Sequence, residues 1–141
     1  MRRLGALLAV VLTGCGGLDV DATVPLATPS RSGFELEAAP LLAKRCGDVA
    51  CHGSDRHAFA LCAVGRRRLR AADTFSSKPL GGAELDANYL ATLGFLDAAA
   101  PLESTLLRKA LGQGHGGGAV FAHPSDPECL AVLRWLNGSA P

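Results

Sequence analysis

Cys46-Gly47-Asp48-Val49-Ala50-Cys51-His52-Gly53 is the stretch from which the rest of the chain is read. A cysteine directly followed by histidine, with a second cysteine upstream, is the sequence form of covalent c-type haem attachment. The chemistry accounts for the order. Two thiols add across the two vinyl groups of haem, and the histidine beside the second thiol lies under the ring as the proximal iron ligand. Four residues separate the cysteines here, where two are usual. Successive helix residues advance by roughly 100°, so cysteines five apart diverge by roughly 140° and the extra pair must bulge out. Gly47 supplies backbone freedom for the bulge, and Asp48 a side chain that bonds its own backbone. Cys46, Cys51 and His52 are therefore the candidate cofactor-binding residues, with His52 as a metal ligand. The same eight residues also fit a short disulfide loop with an incidental histidine.

The N-terminus reads as an address. Arg2 and Arg3 give a charged start, Leu4 to Thr13 is an apolar run, and Leu12-Thr13-Gly14-Cys15 closes it. The run is too short to span a bilayer, which leaves a secretory signal over residues 1–14. Leu-Thr-Gly-Cys resembles the bacterial lipobox, whose cysteine is lipidated, so Cys15 is the expected lipidation site. By the same resemblance, Gly16 after the cysteine favours an outer-membrane lipoprotein, on its periplasmic side or at the cell surface. Several acyl chains on one cysteine give the stable anchoring that one chain does not. Residues 15–33 then carry Pro25, Pro29, Thr28, Ser30 and Gly33 without sustained periodicity, the composition of a disordered linker.

Residues 34–138 are long enough for one domain. Fourteen basic and thirteen acidic residues nearly cancel, so charge gives no argument for nucleic acid or another anionic partner. With 17 glycines and 5% aromatics the core is built from small residues, and a buried cofactor or disulfides would support it. Setting Cys15 aside leaves four of the five cysteines. If Cys46 and Cys51 hold haem, Cys62 and Cys129 remain as an even pair suited to a disulfide in an oxidising compartment.

The periodicity predicts a mostly α fold. Leu36, Ala39, Leu42 and Ala43 recur at helical spacing over 34–46, with Pro40 expected to confine the regular helix to the part after it. Arg66, Arg67, Arg68 and Arg70 read as a solvated surface, or as a source of one partner for a haem propionate. Ser76 to Gly82 reads as a loop. A second helix covers 84–96 with Leu85, Tyr89, Leu93 and Leu96 on one face, and Pro101 opens a third through Ala110. Gly112 to Gly118 cannot be regular and encloses His115. The last helix has Ser125 as its cap, Pro127 in its first turn and Glu128 completing a capping box, and Gly138 ends it. Trp135 reads as a packing residue.

These pieces together resemble the small c-type cytochrome domains of exported bacterial lipoproteins, including the planctomycete-type domains. Cys51-His52-Gly53 after a helix carries the resemblance. So do Pro101-Leu102-Glu103-Ser104-Thr105-Leu106-Leu107-Arg108-Lys109 leading to His115-Gly116-Gly117-Gly118, and the closing Arg134-Trp135-Leu136-Asn137-Gly138. The resemblance implies a cytochrome c-like helical domain holding haem c and passing electrons to a redox partner protein. Such domains place a methionine as the second axial ligand. This chain's one methionine is Met1, within the signal, so histidine or an open position is left. His115 occupies the corresponding place in the chain order; His123 is second choice, and His57 lies in a polar loop.

No paired catalytic acid and base, serine triad or phosphate loop is present, and the expectation is a carrier and not an enzyme. The rival is a haem-free outer-membrane lipoprotein module stapled by disulfides. A zinc site is a third reading, which needs four placed ligands where only Cys51 and His52 are local.

Overall fold

The computed structural model describes residues 28–138, so the expected signal, Cys15 and most of the linker lie outside the described residues. Helix is the regular secondary structure throughout, with no strand among the described residues. The mostly α expectation is met.

The first helix, α1, opens as Arg31–Gly33, passes through a π turn at Phe34–Ala38 and continues as Ala39–Arg45. It is helical on both sides of Pro40, which corrects the expectation that regular helix begins only after the proline. Proline lacks an N–H and crowds the carbonyl one turn earlier. Widening that turn relieves the crowding: the Ala39 N–H donates to the Phe34 carbonyl, five residues back. Continuing the helix also buries Phe34 and Ala38 completely. Ser30 caps it, its Oγ accepting from the Gly33 N–H at 3.0 Å. Trp135 Nε1 donates to the Ser30 carbonyl at 2.9 Å, and the Tyr89 hydroxyl to the Pro29 carbonyl at 2.7 Å. Residues 29–33, expected to be linker, are therefore tied into the domain.

The second helix, α2, is Gly82–Leu93. Its most buried residues are Glu84, Asn88 and Thr92, a polar stripe at spacing four, while Leu85, Tyr89 and Leu96 are only partly buried against the core. Each polar group is satisfied, as burial demands. Glu84 takes Arg68 Nε and Nη2, both at 2.7 Å, and the Gly81 N–H at 2.9 Å. Asn88 accepts from the Cys62 N–H at 2.7 Å and donates to the Cys62 carbonyl at 2.9 Å. Thr92 Oγ1 donates to the Asn88 carbonyl. Arg68 is thus buried and not solvated; it also donates to the Lys78 and Pro79 carbonyls and so holds the loop before α2.

A 3₁₀ turn at Pro101–Glu103 leads to α3, Thr105–Ala110, and the chain closes with α4, Pro127–Leu136. The cap of α4 is Asp126, not Ser125: Asp126 Oδ1 accepts from the Glu128 N–H at 2.9 Å. Ser125 bonds His123 instead, and the Glu128 carboxylate faces Arg45 at 3.2 Å and Lys44 at 3.7 Å. Gly138 has φ +66°, the left-handed turn that ends the helix as expected. The core joins Phe34 and Leu42 of α1, Leu107 of α3, Phe121, and Val132 and Trp135 of α4. Phe34 lies between Trp135 and Tyr89, with ring centroids 5.2 and 5.5 Å away. Trp135 is a packing residue.

All four described cysteines are free thiols, so the expected Cys62–Cys129 bond is not made in this structure. The two are buried in different settings. Cys129 belongs to the contiguous apolar core, while Cys62 lies outside it, its sulfur accepting from Arg67 Nη1 at 3.1 Å. An even count of cysteines carries no geometry of its own.

Candidate cofactor site

The haem-type motif leaves α1 at Cys46 and folds back at once. Asp48 organises the turn: its carbonyl accepts from the Cys51 and Gly53 N–H groups at 2.9 and 2.7 Å, and its Oδ1 from the Ala50 N–H at 3.0 Å. The His52 N–H then donates to the Cys46 carbonyl at 3.2 Å, which closes the loop and returns His52 to the end of the helix. The widened cysteine spacing is therefore taken up as a bulge, as the sequence implies. The role of glycine differs from expectation, however. A Cβ on Gly53 would stand 2.2 Å from the Gly47 carbonyl oxygen, and one on Gly47 2.6 Å from the Ala43 carbonyl oxygen. Both glycines are needed for close backbone approach.

Cys46, Cys51, His52 and His115 line one cavity of about 540 Å³, within the range of cofactor sites. Its walls are mainly apolar: Leu42, Phe59, Phe95, Leu106, Phe121 and Val132 come from α1, α3, α4 and the segments between them. Cys46 is nearly buried, and that burial pushes its thiol up to about 11, whereas Cys51 is exposed at the cavity wall. His57 also lines the cavity, its ring centroid 5.6 Å from that of His52. His123 is exposed, bonds Ser125 and does not line the cavity. None of Arg66, Arg67, Arg68 and Arg70 lines it either.

The two facing histidines are held alike. His52 Nδ1 lies 2.8 Å from the Phe59 carbonyl oxygen, and His115 Nδ1 lies 2.7 Å from the Gly118 carbonyl oxygen. A carbonyl only accepts, so Nδ1 carries the proton in both rings and each Nε2 keeps a free lone pair. This is the arrangement by which proteins orient a metal-ligating histidine. The ring centroids are 6.0 Å apart with planes within 6° of each other. Two imidazoles bound to one metal through single nitrogens, with bonds of about 2 Å, have centroids roughly that far apart. His52 is held below its ordinary pKa, mainly by burial and further by His115 and His57, against the bond to Phe59. That keeps its lone pair available into mildly acidic solution.

The loop carrying His115 is fixed to α3 by backbone and side-chain bonds. Both the Val120 and Phe121 N–H groups donate to the Ala110 carbonyl, at 2.8 and 3.0 Å. Arg108 Nε donates to Gln113 Oε1 at 2.9 Å, and Lys109 Nζ donates to the Gly114 carbonyl. Gly114 and Gly118 flank the histidine with φ +61° and +76°, conformations that only glycine adopts without cost. Among the described residues no group of three or more His, Cys, Asp or Glu side chains is gathered that could hold a bare metal ion, so the zinc reading lacks its ligands. Sequence reasoning missed Phe59 and Lys109. The first acts through its carbonyl, which leaves no signal in residue type.

Compared with models of protein families, with curated proteins and with solved structures, the chain has no match in any of the three.

Proposed function

We propose that this chain is a monohaem c-type cytochrome, held at the outer membrane by lipid on Cys15, that carries electrons to and from a redox partner protein. One observation carries the reading. His52 and His115 face each other at 6.0 Å, each with Nδ1 committed to a backbone carbonyl, across an apolar cavity that Cys46 and Cys51 also line. The residues present fit the group. The cavity is mainly apolar and of cofactor size, two imidazoles offer Nε2 lone pairs, and two thiols lie at its wall beside one of them.

In this reading Cys51 and Cys46 hold haem c by thioether bonds, and His52 and His115 are its two axial ligands. The haem iron supplies one-electron chemistry by alternating between ferric and ferrous states. The chain does the rest. The Phe59 and Gly118 carbonyls set the direction of the two rings, and the buried aliphatic and aromatic side chains keep water from the cavity. With histidine in place of methionine, the reduction potential lies below that of a methionine-ligated cytochrome. Absorption spectroscopy tests the proposal. Protein secreted alongside c-type maturation factors is expected to show a Soret band and, when reduced, the sharp visible bands of low-spin haem. Colourless protein from a host that matures other c-type cytochromes would remove the reading.

A further inference from the structure

We propose that Lys109 pairs with one propionate carboxylate of haem seated in the cavity, a role the sequence had pointed toward the arginines of residues 66–70. The assignment rests on the haem reading and deepens it. None of those arginines lines the cavity, and Arg68 is consumed by its buried pair with Glu84 at 2.7 Å. Lys109 is the one lysine or arginine in the cavity wall, and it is exposed.

Its bonding leaves capacity. An ammonium has three donors, and one goes to the Gly114 carbonyl. No carboxylate pairs with Lys109 among the described residues, whereas Arg31, Lys44, Arg45 and Arg66 each have one within 4.0 Å. A charged carboxylate among the apolar walls would be costly, so the acid groups of an otherwise apolar ring belong where solvent and a cation meet it. Lys109 is that place. Because it also holds the carbonyl of Gly114, next to His115, it couples the seating of the ring to the position of the loop that carries the second ligand.

The test uses holoprotein containing haem ¹³C-labelled at its propionate carboxyls, titrated by NMR. One carboxyl is expected to titrate lower than the other by about half a pH unit, the size of one exposed ion pair. K109M and K109Q are expected to bring the two together, and K109R to keep them apart. All three should retain the wild-type low-spin spectrum, which separates the ion pair from general damage to the loop. Equal titration of both carboxyls in the wild type, or a separation unchanged in K109M and K109Q, would overturn the assignment while leaving the cytochrome reading intact. Wild-type protein without haem would overturn both.

Discussion

Replacing Asn88 by alanine is expected to cost about 3 kcal/mol of stability. Asn88 is 1% exposed, and its amide closes both backbone groups of Cys62, accepting at 2.7 Å and donating at 2.9 Å. Cys62 is itself fully buried. Alanine offers neither bond, so one N–H and one C=O are left without partners. Each buried orphan costs about 1–3 kcal/mol, or roughly 2–6 kcal/mol for the two, and water entering the vacated space recovers part of that. For a domain of this size, 3 kcal/mol lowers Tm by roughly 10–15 °C. Urea denaturation of the purified protein, followed by far-UV circular dichroism, measures it as a lower midpoint at unchanged slope. Asn88→Asp keeps an acceptor for the Cys62 N–H but sets a carboxylate against the Cys62 carbonyl, and should cost at least as much. A loss below about 1 kcal/mol in Asn88→Ala would refute the reasoning, because the two bonds would then add nothing beyond what water supplies.

The remaining predictions concern the motif turn, the buried ion pair and the second histidine. Gly53→Ala forces a Cβ to 2.2 Å from a carbonyl oxygen and is expected to destabilise by about 2–4 kcal/mol in thermal melts. Gly116→Ala, with nothing within 4 Å, should change little in the same assay. The Glu84 carboxyl is held down at about 2, chiefly by its bonds from Arg68. Below the ordinary carboxyl value of 4.5 the unfolded chain binds the proton more readily, so this stabilisation is complete above that pH and lost as pH falls toward 2. The stability gap between wild type and Glu84→Gln should therefore be wide at pH 6 and shrink at pH 2.5; a gap independent of pH would count against the pair. In haem-loaded protein, His115→Ala is expected to turn a low-spin spectrum high-spin and admit carbon monoxide. An unchanged low-spin spectrum would transfer the ligand role to His57, the other histidine beside His52.

The parts of the molecule legible in the sequence are those set by neighbours along the chain. The bulge at Gly47-Asp48, the glycine loop around His115 and the stop at Gly138 follow from local turn chemistry and hold in the structure. The cap of α4 was displaced by one residue because both Ser125 and Asp126 can cap, and His123 takes the serine. What was hidden depends on partners far away in sequence. Arg68 among four arginines looks solvated until Glu84, 16 residues on, appears against it in the core. The stripe of Glu84, Asn88 and Thr92 contradicts the apolar face that Leu85 and Tyr89 suggest, because the second helix packs on the backbone of Cys62 as well as on side chains. Pro40 was read by its local effect alone, while burial of Phe34 and Ala38 carries the helix through it.

The central claim is that the cavity between His52 and His115 holds covalently attached haem. Intact mass measured under denaturing conditions tests it most directly, on protein secreted with c-type maturation factors. The account predicts the mass of the chain plus one haem that neither acid nor organic solvent removes, with Cys51→Ala losing more of it than Cys46→Ala. A wild-type chain carrying no haem from a host that matures other c-type cytochromes would contradict it.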